Sequence, residues 1–179
     1  MATLEKALEI AARAHAGVRD KEGLPYILHP LRVMHRVTGE SAQIVAILHD
    51  VVEDTPVTIA DLRAAGFPLD IIAAIECVTH CREEAYAEYV IRCRENPLAR
   101  QVKLADLEDN SLLSRAMLRR DREVTDLARF RRYTMSYKFL TGQLGEDEYR
   151  AWMADGTAQG RRAEPTAVEA PARDGLPRP

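Results

Sequence analysis

From Leu4 to Ala154 the apolar side chains recur at steps of three and four and almost never alternate, which is the spacing of helices rather than strands. Leu4, Leu8, Ala11 and Ala14 stripe a first helix that Gly17 closes, with His15 beside the stripe. Pro30 suits the first position of a second helix, leaving His29 as its N-cap. Ser41 opens a third through Ile44, Leu48 and Val52, and Thr58 with Asp61 forms a capping box for a short fourth that Gly66 stops. Further helices are expected over 68–79, 84–94, 97–118, 123–140 and 146–154. Eight or nine short helices imply an all-α fold, a compact orthogonal multi-helix bundle.

The stretch 155–179 holds four of the nine prolines and three of the nine glycines, with Val168 and Leu176 its only larger aliphatics. It is expected to be a disordered tail behind a folded unit of residues 1–154. The balance of 25 Lys and Arg against 28 Asp and Glu, a net charge of -3, offers no cationic field for a nucleic acid, and none is expected as a partner. No apolar run approaches the ~20 residues of a bilayer crossing, and Glu5, Lys6 and Glu9 interrupt the start, so a cytoplasmic protein without membrane contact is expected. Cys77, Cys81 and Cys93 are read as reduced thiols.

On a regular third helix, Ile44, Val45, Ile47, Leu48 and Val52 share one arc while His49, Asp50, Glu53 and Asp54 fill the other. A solvated acidic face has the same pattern. Two features elsewhere favour a site. His29 sits behind the turn Tyr26-Ile27-Leu28, and Asp106 lies in an apolar helix on one face with Lys103 and Asn110. A carboxylate there is costly unless paired or metal-bound. His29, His49, Asp50 and Asp106 would form a mixed N and O donor set suited to manganese, iron or zinc, with positions left for water or substrate.

The segments 14–19 (AHAGVR), 23–30 (GLPYILHP), 47–55 (ILHDVVEDT) and 103–110 (KLADLEDN), in that order, resemble the HD-domain metal-dependent phosphohydrolases, named for the adjacent pair seen here as His49-Asp50. More narrowly, the chain looks like the small alarmone hydrolases, which correspond to the hydrolase domain of the RelA/SpoT proteins. The resemblance implies that His29, His49, Asp50 and Asp106 hold a divalent metal, usually Mn2+, with Fe2+ or Zn2+ as alternatives. It implies that Glu53 and Asp54 are the catalytic acidic pair that orients water and assists proton transfer. The reaction would be hydrolysis of the 3′-pyrophosphate of guanosine tetra- or pentaphosphate, (p)ppGpp, to GDP or GTP and pyrophosphate. Arg19, Lys21, Lys103 and Asn110 would contact this small-molecule nucleotide.

The chain departs from the family at Asp20, between the two basic residues of the turn, at Leu107, where Arg is frequent, and at His80, where Lys is common. An HD phosphohydrolase for another phosphorylated nucleotide, and a catalytically weak nucleotide-binding sensor, therefore stand as alternatives. Synthesis of (p)ppGpp would need a separate domain that the residues after Leu140 cannot build. His15 reads as a core histidine, and Cys77, His80 and Cys81 are too few for a closed zinc site. Tyr86, Tyr89, Val90 and Cys93 read as core or a dimer face, so a homo-oligomer stays open. Arg119, Arg120, Arg122, Arg129, Arg131 and Arg132 read as a solvated face that leaves room for one substrate-facing arginine.

Overall fold

Ten helices and no strand occupy the described residues: α1 (Leu4–Ala14), α2 (Leu28–Arg36), α3 (Glu40–Leu48), α4 (Val51–Asp54), α5 (Ile59–Ala64), α6 (Leu69–Val78), α7 (Tyr86–Glu95), α8 (Pro97–Asn110), α9 (Glu123–Leu140) and α10 (Glu146–Gly160). The computed structural model describes residues 2–112 and 121–160, with 155–160 as backbone only. An isolated antiparallel bridge between Arg19 and Pro25 closes the turn between α1 and α2. Among the described residues no helix is long and apolar enough to cross a membrane.

The capping box of Thr58 and Asp61 is formed in both directions at the start of α5, and Gly66 follows that helix with φ of 88°. Two helix starts differ from expectation. In α2, Ile27 is the N-cap and already helical (φ -53°, ψ -22°), so His29 lies inside the first turn and Pro30 follows it. The turn before it is closed by bonds from the Leu28 amide to the Pro25 carbonyl and from the His29 amide to the Tyr26 carbonyl. Proline is tolerated there because first-turn amides have no intrahelical acceptor. In α3, Gly39 rather than Ser41 makes the entry, with φ of 88°, a left-handed conformation open to glycine.

The expected third helix is also split. α3 ends at Leu48, His49 and Asp50 form a break, and α4 resumes at Val51. Ala42, Ile44, Val45, Ala46, Ile47 and Leu48 are all buried, so beyond its polar first residues α3 has no solvated side and a single amphipathic wheel does not describe it. α1, α2, α6 and α8 surround it. α8 is the second central element, packed against α2, α3, α6, α7 and α9. It ends at Asn110, capped by Ser111, short of the expected residue 118. The part of that expectation in 113–120, with Arg119 and Arg120, lies outside the described residues, as do 161–179 of the expected tail. α10 continues to Gly160.

Tyr89, Val90 and Cys93 are core residues, and all three cysteines are free thiols. Phe139 and Tyr149 stack at 4.5 Å between ring centroids and join α9 to α10, with Ser136 Oγ 3.0 Å from the Tyr149 hydroxyl. Asn96 starts α8 by accepting the Leu98 and Ala99 amides at 3.1 Å each. Asn96→Ala is expected to destabilise the protein by about 1 kcal/mol, since two first-turn amides lose their acceptor. Thermal unfolding followed by circular dichroism should register a fall in Tm of roughly 2–4 °C, while Asn96→Asp retains most of the stability.

Candidate metal centre and substrate cavity

The first turn of α2, the end of α3 and the middle of α8 bring His29, His49, Asp50 and Asp106 together. One ligand atom from each of His29, His49 and Asp50 lies within 4.8 Å of the others. Asp106 completes the group, its Oδ1 lying 3.3 Å from His29 Nε2 and 3.9 Å from His49 Nε2. Both imidazoles have their second nitrogen engaged. His29 Nδ1 is 2.8 Å from Asp109 Oδ2, and His49 Nδ1 is 2.7 Å from the Ala46 carbonyl. Carbonyls and ionised carboxylates only accept, so both Nδ1 atoms donate and both Nε2 atoms face inward.

That inward arrangement is what a divalent cation fits. His49 Nε2 is buried without a hydrogen-bond partner, yet stands 3.1 Å from Asp50 Oδ2. His29 Nε2 is 3.5 Å from the same oxygen. Lone pairs and carboxylates at such separations repel unless a proton or a cation lies between them. Burial alone would lower the His29 pKa, but Asp106, Asp109 and Asp50 outweigh it and push the imidazole up to about 10. His49 is raised in the same way, Asp50 and Asp106 overcoming its burial. The set contains two nitrogens and two carboxylates, the ligand chemistry of manganese, iron or zinc.

Buried partners hold these side chains from behind. Lys103 Nζ is 2.8 Å from Asp106 Oδ2, and Asn110 Nδ2 donates to Asp106 Oδ1. Burial would raise the Asp106 pKa, but Lys103, His29 and His49 hold it well below the usual carboxylate range. The Lys103 ammonium lies 4.9 Å from the Tyr89 ring centroid, so this expected substrate contact already serves as the counter-charge of Asp106. Asp109 is fully buried and receives Arg32 Nε at 2.8 Å and Arg32 Nη2 at 3.1 Å as well as His29. Sequence reasoning passed over Asp109 and Arg32. The available signal was spacing, because Asp109 follows Asp106 by three positions and Arg32 follows His29 by three.

Glu53 and Asp54 stand on α4 at a cavity of about 730 Å³, which Arg19, Lys21, Lys103 and Asn110 also line. Both acids reach solvent, yet burial by the surrounding wall, followed for Asp54 by the charge of Asp50, raises their pKa values. The His80 amide donates to Glu53 Oε2 at 2.9 Å. Tyr26, also missed in the sequence, donates to Asp50 Oδ2 at 2.6 Å and to Asp54 Oδ2 at 3.2 Å, so one phenol spans the ligand cluster and the acidic pair. Arg19 Nη1 donates to the Gly23 carbonyl at 2.6 Å. From α9, Arg129, Arg132 and Tyr133 reach the cavity, and Arg132 lies 4.6 Å over the Tyr86 ring. His15 is buried against Tyr26, with ring centroids 4.8 Å apart.

Asp109→Asn is expected to weaken divalent-metal binding by about 10- to 100-fold, since the amide no longer fixes the His29 tautomer. Isothermal titration with Mn2+ checks this, and an unchanged affinity would contradict the role given to Asp109.

No protein-family model matches the chain. It is 36% identical over 118 residues to the human guanosine-3′,5′-bis(diphosphate) 3′-pyrophosphohydrolase MESH1, covering 59% of this chain and 65% of that protein. It is 29% identical over 119 residues to the guanosine-3′,5′-bis(diphosphate) 3′-pyrophosphohydrolase of Aquifex aeolicus, and 31% identical over 132 residues to a GTP pyrophosphokinase of Streptomyces antibioticus. The matched stretches cover 60% and 67% of this chain but only 17% and 16% of those longer proteins. A solved structure titled as a metazoan ortholog of SpoT that hydrolyzes ppGpp superposes with a TM-score of 0.56 at 23% identity, covering 89% of this chain and 96% of that one. In sequence the chain resembles the HD-type alarmone hydrolases, and in fold it is the same all-helical bundle.

Proposed function

We propose that this chain is a metal-dependent phosphohydrolase that removes the 3′-pyrophosphate of guanosine tetra- and pentaphosphate, giving GDP or GTP and pyrophosphate. The observation that carries the reading is the convergence of His29, His49, Asp50 and Asp106 beside the acidic pair Glu53 and Asp54 in one cavity. The sequence relatives named for this activity support it.

In this reading His29, His49, Asp50 and Asp106 hold the cation, with manganese as the proposed metal. When bound, such an ion supplies positive charge to the reacting phosphate and acidifies water. The chain supplies the rest. Glu53 and Asp54, raised by their surroundings, accept a proton more readily than ordinary carboxylates and orient the attacking water. Lys21, Arg129 and Arg132 bring cationic charge to the cavity for the phosphates, and Asn110 offers an amide to the sugar side. The Arg19 bond to Gly23 and the acceptance of the Glu22 and Leu24 amides by Asp20 tie the basic turn back on itself. That feature favours a second reading, in which the same chemistry acts on another phosphorylated nucleotide.

Asp106→Ala is expected to abolish Mn2+-dependent release of pyrophosphate from ppGpp together with metal retention. Glu53→Gln is expected to keep the metal and lower kcat by about 10²- to 10⁴-fold. Metal analysis with a pyrophosphate-release assay on a nucleotide panel checks both. Cleavage of other nucleotides with ppGpp untouched would select the second reading, and tight ppGpp binding without product would make the chain a sensor.

A further inference from the structure

The Glu53 carboxylate belongs to a four-residue helix, reaches solvent and stands near Asp50 and Asp54, whose charges act to raise its pKa. Nothing in α4 itself fixes its rotamer. Its hydrogen bond comes from outside, from the backbone amide of His80, in the connection between α6 and α7. A connection of this kind holds a catalytic geometry only if it is itself held.

Arg92, one turn before the end of α7, holds it. Its Nε and Nη2 donate to the two oxygens of Glu84 at 3.0 and 2.6 Å, a fork against a carboxylate. The same guanidinium reaches the Thr79 carbonyl at 3.2 Å and the Glu76 carbonyl at 2.7 Å. It therefore fastens the last turn of α6 and both ends of the connection at once. Within the connection, His80 Nε2 lies 2.9 Å from the Glu84 carbonyl, and its ring rests 4.9 Å from that of Tyr89. The imidazole faces inward while the amide of the same residue faces Glu53. We propose that Arg92 is a positioning residue for Glu53, bracing the α6–α7 connection so that the His80 amide aims the carboxylate at the cavity.

The proposal rests on the reading of Glu53 as a water-orienting base, and the test keeps the two apart. Arg92→Met keeps the stem and removes the fork. With ppGpp and Mn2+, kcat is expected to fall about 10- to 100-fold while KM stays within about two-fold, because aim is lost and binding is not. Bound manganese is expected to be unchanged, and deuterium uptake across 79–85 to rise. In a Glu53→Gln background the same substitution is expected to alter kcat by less than about two-fold, since the group it serves is gone. Arg92→Lys, which keeps the charge without the fork, is expected to fall between.

An unchanged kcat in Arg92→Met, an equal loss in both backgrounds, or unchanged deuterium uptake overturns the brace. A Glu53→Gln enzyme with wild-type kcat overturns the reading of Glu53 and the brace with it. Glu84→Ala cuts the same brace from its other end and carries the same expectations if Arg92→Met does not fold. If ppGpp is not the substrate, the nucleotide that the panel identifies replaces it in the kinetic arm.

Discussion

The convergence of four ionisable groups inside the core is the constraint on which the rest of the structure depends. Two imidazole nitrogens and two carboxylates face one another across 3.1 to 3.9 Å in a buried pocket. Left alone, such a cluster would be among the costliest features a small core could contain. Three of the groups are secured on their outer side instead. Asp109 and the Ala46 carbonyl take the outer imidazole protons and Lys103 takes the far oxygen of Asp106, while Tyr26 bonds Asp50 through Oδ2, the oxygen that also faces both imidazoles. What remains unanswered is the common inner side, and its chemistry calls for positive charge. Arg32 extends the same logic outward, joining His29 and Arg36 around the buried Asp109 carboxylate.

The two central helices explain why the cluster forms where it does. From Ile44 to Leu48 α3 is apolar on every side and buried, so its end emerges at a buried point rather than at the surface. A helix end leaves carbonyls without intrahelical donors. The Ala46 carbonyl turns that deficit to use by fixing the His49 tautomer. α8 crosses beside it and, at steps of three and four, presents Lys103, Asp106 and Asn110 on one face, with Asp109 alongside. The Asp106 carboxylate, its counter-charge and the orienting acid of the neighbouring histidine thus all come from one rigid element.

Much of this was legible because it is local. The helices follow from apolar spacing, and the Thr58–Asp61 box and the start of α9 at Glu123 need only neighbours a turn away. His29, His49, Asp50 and Asp106 stand out because polar groups interrupt apolar runs. The break at His49 and Asp50 was not legible, since the apolar spacing of Ile44, Leu48 and Val52 runs through it without a glycine or proline. Tyr26 and Asp109 were missed for a related reason. Their partners lie 24 to 80 positions away, and apart from the three-residue step from Asp106 to Asp109 the sequence carries no mark of such contacts. The N-cap at Ile27 likewise reflects a turn closed from Pro25 and Tyr26, which outweighs the preference of proline for the first helical position.

The departures from the family pattern have structural employment in this chain. Leu107 is 1% exposed and belongs to the core, so it points away from the cavity that its neighbour Asp106 serves. His80 contributes an amide to Glu53 and lays its ring against Tyr89. Asp20 accepts the amides of Glu22 and Leu24 and so shapes the turn that carries Lys21. Each change removes or offsets a cation without leaving a hole. Arg129 and Arg132 on α9 reach the cavity, Arg129 beside Asp126 and Arg132 over Tyr86. The acids on α4 and these cations on α9 give the cavity a polarity set by two separate elements. The packing of α9 on α8 therefore sets how far those cations stand from the acids of α4.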